Sequence, residues 1–400
     1  MKRYDLLTPE GTRDLLFDEC VALRKVENRL RNIFLSHGYA EVVTPGLEFF
    51  DVFSLKSRYF AQESMYKLTD AKGRLMVLRP DSTMPIARLV GTRLREETFP
   101  LKLFYNQSIY RANPKNSGRD DEFSQCGIEI VGGDVAHADI EALSIAIEVM
   151  QSLEADDYRF EIGDSAFFTL LSSKLDLTEE EVSEIRILVQ NKNYPELKAI
   201  LSRFDGNIYA NALAELPSLF GGIEAFERAE IILPDDDTKF VLRKLRALYN
   251  NLCALGVQDK ITVDLGLVNK NENYYTGVVF MGYVEGYGMP VLTGGRYDRL
   301  VRDFGVDVPA TGFAVNLNAA ANTVIKKAAS PLVKLPDVLV YADEDNIVNG
   351  IIHCRKLISD GLIADCADFR TIEEARENVV KRGISRLDVV TSDGVTTEKF

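Results

Sequence analysis

Four segments put polar side chains where a buried core would not take them. In Leu78-Arg79-Pro80-Asp81-Ser82-Thr83 a strand pattern stops at a proline and delivers a carboxylate beside a hydroxyl. That pairing suits a ligand ammonium group, and equally suits capping of a following helix. A second segment runs from Tyr110-Arg111 through Gly118-Arg119-Asp120-Asp121-Glu122-Phe123 into Ser124-Gln125-Cys126-Gly127-Ile128-Glu129-Ile130. With the two-residue period of a strand, Gln125, Gly127 and Glu129 share one face, so an amide and a carboxylate point together across a glycine gap with room for a ligand. A solvated edge strand would carry the same pattern. The third segment is Asn273-Tyr274-Tyr275-Thr276-Gly277, preceded by Lys270, where paired tyrosines either pack or line a site. The fourth, within Leu292–Asp298, is Gly294-Gly295-Arg296-Tyr297-Asp298, which reads as a turn with an Arg/Asp pair to fix it.

Other chemistries find no support. Neither G-x-x-x-x-G-K-[ST] nor G-x-G-x-x-G occurs, so no glycine-rich phosphate loop is expected. His37, His137 and His353 are dispersed, and the five cysteines, Cys20, Cys126, Cys253, Cys354 and Cys366, show no C-x-x-C spacing. No metal site and no disulfide framework follow, and a reducing compartment does. Lys plus Arg number 47 against 61 Asp plus Glu, a net charge of −14 that argues against a broad grip on nucleic-acid phosphates. The N-terminus meets acids where a signal peptide needs an apolar run, and no later stretch reaches membrane-spanning length. The expectation is a soluble cytoplasmic protein with neither a nucleic-acid nor a membrane partner.

The elements that must position these residues follow from periodicity. Four hundred residues suggest two or three domains. Leu16, Leu23, Val26, Leu30, Ile33 and Phe34 mark a long amphipathic helix over 13–36, ending at His37-Gly38. Extended segments are expected at 40–44, 74–79, 101–111 and 123–131, then a helix over 139–153 and a strand at 158–163. Residues 164–260 read as a helical insertion, after which strands return at 261–266 and 276–285 and an Ala-rich helix runs from about 313 to 328. A linker with Pro331 and Pro336, 329–336, precedes a strand-helix-strand-helix-strand tail, 337–400, expected to form a small α/β domain.

Taken in order, Thr8-Pro9-Glu10-Gly11-Thr12-Arg13-Asp14, Arg79 to Thr83, Phe123 to Glu129, the Tyr-Tyr-Thr-Gly stretch and Gly294 to Asp298 resemble the catalytic core of histidyl-tRNA synthetase over most of 5–325. The resemblance implies an α+β fold: the antiparallel sheet of a class II aminoacyl-tRNA synthetase, flanked by helices. It also implies a histidine site, with Asp81, Thr83 and Gln125 on the ammonium, Lys270 on the carboxylate, and Glu129, Tyr275 and Tyr297 on the imidazole. Tyr274 and Arg111 belong to the same expected site.

Departures from the synthetase pattern fall on its ATP half. Asn113 and Asp121 stand where a glutamate and a second loop arginine are expected, and Lys270 replaces an arginine. The closing helix, Gly312-Phe313-Ala314-Val315-Asn316-Leu317-Asn318-Ala319, carries Ala319 in place of an ATP-clamping arginine. An acid facing phosphate turns attraction into repulsion. The sequence is therefore identified as similar to the synthetase paralogues that serve as regulatory subunits of ATP phosphoribosyltransferase. That resemblance implies no catalytic residues and no cofactor. L-histidine is the expected regulatory ligand, and a short-form catalytic subunit the expected partner. Self-association within a hetero-oligomer and feedback inhibition of the first step of histidine biosynthesis also follow from it. The alternative is an active histidyl-tRNA synthetase. The tail, with 8 basic and 13 acidic residues, resembles a shortened anticodon-binding domain of the wrong sign for RNA and is expected to pack against neighbouring subunits.

Overall fold

A mixed sheet, largely antiparallel, positions the four segments. The computed structural model describes residues 3–54, 60–114, 118–268 and 274–400, so Lys270 lies outside the described residues. Nine described strands form the sheet in the order Ala40–Glu41, Leu101–Tyr110, Glu122–Val131, Ala310–Asn316, Leu292–Arg296, Val278–Val284, Tyr158–Asp164, Ile261–Asp264 and Phe220–Gly221. All neighbours are antiparallel except the first pair and Tyr158–Asp164 with Ile261–Asp264. Helices flank the sheet, as in the class II synthetases.

The two-residue period sorts the sheet into two faces. Phe104 and Phe313 meet Phe34 of the helix Asp18–Ser36 with ring centroids 5.7 and 6.0 Å apart, which assigns that face to the hydrophobic core. Leu103, Tyr105, Gly127, Glu129 and Gly312 share the opposite face, where the helix Thr83–Thr92 packs. The long helix begins at Asp18 rather than residue 13, because Phe17 sits at a positive φ of 47° that ends helical continuity.

Two expectations need correction. Leu292–Arg296 is a central strand and not a turn, since Gly294 leaves space that a Cβ would have to share with the Phe280 ring, 2.5 Å away, and the Gly312 carbonyl, 2.6 Å away. Residues 310–316 are likewise a strand, and the helix starts only at Leu317. Asn316 marks the change: its side-chain oxygen accepts from the Ala319 N–H at 3.0 Å.

Between Tyr158–Asp164 and Ile261–Asp264 the chain forms helices Ala166–Ser172, Glu179–Gln190, Tyr194–Leu201, Ile208–Glu215, Ile223–Ile232 and Asp236–Ala254. This segment also supplies the edge strand Phe220–Gly221, and its Lys192 reaches the buried Asp264 at 2.8 Å. The chain divides into Met1–Lys327 and Ala328–Phe400. In the second unit the strands run Ala364–Cys366, Val338–Ala342, Arg386–Thr391, Gly394–Lys399, with helices Ile347–Ser359 and Ile372–Arg382. Gly394–Lys399 was not expected, because this edge strand is mostly exposed and has no apolar face.

Arg296 is the main buried cation of the sheet. Its guanidinium meets Asp139 of the helix Val135–Ser152 at 3.2 and 2.8 Å, Asp298 at 3.0 Å and the Val135 carbonyl at 3.0 Å. Burial, with a smaller push from Asp298, raises the Asp139 carboxyl above its ordinary value, and Arg296 opposes that shift. Arg296→Met leaves Asp139 buried and unpaired, so urea unfolding should show a loss of about 3–5 kcal/mol, with Arg296→Met/Asp139→Leu recovering most of it.

Candidate functional site

On the sheet face opposite the long helix lies a cavity of about 480 Å³, within the range of small-molecule sites. Asp81, Thr83, Arg111, Gln125, Glu129, Tyr274, Tyr275 and Tyr297 all line it. The residues come from distant parts of the chain: the turn into the helix Thr83–Thr92, the residue after the strand Leu101–Tyr110, the strand Glu122–Val131, and the segments before Val278–Val284 and after Leu292–Arg296.

Glu129 forms the floor. Its side chain accepts a hydrogen bond from the Thr83 hydroxyl at 2.7 Å and another from the Tyr297 hydroxyl. Its carboxyl is pushed up to about 8: removal from water raises it most, the Tyr297 and Thr83 hydroxyl donors oppose the rise, and the nearby Asp81 adds to it. Gly312 is required beside it: a Cβ there would sit 2.2 Å from Glu129 Oε2 and from the Ile128 carbonyl. Thr83 is thus a positioning residue for Glu129. Its hydroxyl proton goes to Glu129, whereas an ammonium, itself a donor, would use the lone pairs of the hydroxyl oxygen.

Asp81 is also buried. It caps the helix by accepting from the Met84 N–H at 2.9 Å, in keeping with the capping reading of this carboxylate. Its pKa is raised by burial and held back by Arg111, whose guanidinium is 3.8 Å away. Arg111 donates to the Pro80 carbonyl at 2.7 Å and lies over Phe60 and Phe123 at 5.5 and 5.9 Å from the ring centroids. Neighbouring Arg79 is structural, donating to the carbonyls of Ser108 and Thr44 and to Gln107 at 2.6–2.9 Å. Tyr274 packs edge-on against Tyr275, centroids 5.0 Å apart, and lies 6.2 Å from Tyr297. Burial holds all three phenols protonated, as neutral donors.

The gap at Gly127 does not serve a ligand. A Cβ there would meet the Phe313 carbonyl at 2.2 Å and the Tyr105 hydroxyl at 2.7 Å, so the space is filled by Tyr105. Asp121 also departs from expectation, because it is not among the cavity-lining residues. It accepts from the Tyr66 hydroxyl and from the Asn113 backbone and amide N–H groups at 3.0 and 3.2 Å, while its own N–H donates to the Gly11 carbonyl at 2.6 Å. The carboxylate ties Asp121 to Asn113 and Tyr66, while its backbone N–H holds the N-terminal segment at Gly11.

The far half of the cavity is lined by Arg13, Arg119, Asp120, Met281, Asn318, Ala319 and Asn322. Arg13 is engaged by Glu19 and by Asp120 at 3.4 Å, and Asn318 accepts from the Ser124 N–H at 2.9 Å. Asn316, Asn318 and Asn322 were not anticipated. Their signal was an asparagine run at the start of an Ala-rich helix, a place where polar side chains serve the helix end.

A histidyl-tRNA synthetase family model matches residues 11–320. Curated relatives include the ATP phosphoribosyltransferase regulatory subunit of Clostridium acetobutylicum, 38% identical over 97% of this chain and 95% of that protein. The protein of the same name from Bacillus cereus is 36% identical over 95% and 91%. A solved structure described as an ATP phosphoribosyltransferase regulatory subunit/histidyl-tRNA synthetase from Bacillus halodurans C superposes with a TM-score of 0.82 at 28% identity, covering 94% of this chain and 97% of that one. Histidyl-tRNA synthetase from Nostoc sp. PCC 7120, at 20% identity and a TM-score of 0.75, shares the fold. The chain belongs to the family of ATP phosphoribosyltransferase regulatory subunits, built on the histidyl-tRNA synthetase scaffold.

Proposed function

We propose that this chain is the non-catalytic, histidine-sensing regulatory subunit of a short-form ATP phosphoribosyltransferase, conveying feedback inhibition to the first step of histidine biosynthesis. The observation that carries the reading is Glu129, a buried carboxylate steadied by Thr83 and Tyr297 at the floor of a cavity. An imidazole N–H taken out of water needs such an acceptor, and Tyr275 closes the pocket beside it. Asp81 and Gln125 receive the ammonium, while Arg111 and Lys270 answer the carboxylate. Neither Asp81 nor Glu129 is placed here as a general base. The absence of adenylation chemistry rests on Ala319, whose methyl group lines the cavity where the synthetase pattern has an arginine. In this reading histidine acts through its different affinity for two states of the assembly. The second unit is an acidic relative of the anticodon-binding domain that contributes to assembly rather than to RNA recognition.

Calorimetric titration should give histidine binding that Glu129→Gln weakens at least about tenfold, the cost of losing a charged hydrogen bond. Pyrophosphate exchange with histidine and ATP should stay at background, and clear exchange would identify a synthetase. The Glu129–imidazole pair is expected to hold one proton in the complex. Free Glu129 titrates near 8 and a free imidazole near ~6.5, so affinity is highest between those values. Below the window the complex must release a proton, and above it must take one up. Affinity should fall on both sides, and in Glu129→Gln the alkaline fall due to this group should vanish. An unchanged alkaline limb would show that Glu129 does not meet the ligand.

A further inference from the structure

The helix Ile347–Ser359 of the second unit buries one side and leaves an apolar face uncovered. Gly350, Cys354 and Leu357 face the sheet, with Gly350 so close that a Cβ would lie 2.7 Å from the Ala342 Cβ. On the outer side Ile347, Val348, Ile351, Ile352 and Ile358 are all exposed, Val348 by 68% and Ile352 by 59%. Bulky aliphatic side chains at this spacing on one solvent-facing helix mark an interaction surface.

The charges at the ends of this face say what covers it. Glu344 and Asp345 stand at the N-terminal end and Arg355 and Lys356 at the C-terminal end, all without an ion-pair partner among the described residues. We propose that the face pairs with the same helix of a second copy of this chain, antiparallel about a two-fold axis that crosses the outer side of the helix at the level of residue 350. An interface of that kind uses one patch twice and must be complementary to itself. In this register Val348 meets the partner's Ile352, and Glu344 and Asp345 meet the partner's Lys356 and Arg355, with each contact repeated across the axis. A parallel pairing would set like charges together at both ends, so charge selects the antiparallel arrangement.

Zero-length carbodiimide cross-linking of the full-length chain tests this, because it joins carboxylates only to amines they already touch. Glu344 and Lys356 of one chain are about 18 Å apart along the helix, too far to be joined within it. A covalent dimer joined through Glu344 or Asp345 to Lys356 is therefore expected. Glu344→Lys/Asp345→Lys alone, or Arg355→Glu/Lys356→Glu alone, should cut the yield of dimer joined between these two ends of the helix by about tenfold, since attraction becomes repulsion at both ends. The chain carrying all four reversals should recover that yield. Circular dichroism identical to the parent confirms that each variant is folded. Three results would overturn the proposal: a chain that gives no such dimer, cross-links from these positions to other segments instead, or four reversals that fail to restore what two removed.

Discussion

A carboxyl taken out of water resists ionising, and at Glu129 burial raises it to about 8 even against two hydroxyl donors, the balance around which the cavity is organised. Thr83 and Tyr297 supply the donors from opposite sides, which obliges the Pro80–Thr83 turn and the end of Leu292–Arg296 to converge on one strand. Gly312 on the neighbouring strand makes the carboxylate's space, and Tyr105 fills the gap at Gly127 next to it. Arg296, placed one residue before Tyr297, ties that same strand end to Asp139 and Asp298. The polar floor of the cavity and the ion network behind it are thus parts of one packing solution.

The far half of the cavity is organised differently. Arg13 there is engaged by Glu19 and Asp120, and the helix that closes it presents Ala319 and asparagines. Asp121 locks the loop to Gly11 at a positive φ of 76°, where a Cβ would lie 2.4 Å from the Asp121 carboxyl carbon. A side chain at residue 11 would break this contact, which ties the N-terminal segment to the chain at Asp121.

Much of this was legible in the sequence for physical reasons. Strand alternation alone put Gln125 and Glu129 on one face, and the helix period over 13–36 marked Leu23, Val26, Leu30 and Phe34, which are buried, together with Leu16, which precedes the helix and is exposed. The sheet architecture and the family came from the order of several short segments, none of which is specific by itself. What could not be read was tertiary. Gly127 looks like an opening until Tyr105 is seen to occupy it, and Asp121 looks like a misplaced charge until Tyr66, Asn113 and Gly11 gather around it. Gly294-Gly295 suggests a turn because local propensity carries no record of the Phe280 ring and the neighbouring backbone that demand small residues in a central strand.

The most direct measurement is reconstitution with a short ATP phosphoribosyltransferase catalytic subunit, following phosphoribosyl-ATP formation as histidine is added with and without this chain. The account predicts that the two proteins co-purify and that activity becomes histidine-sensitive only in the complex. Failure to associate, or identical histidine responses with and without the chain, would contradict it.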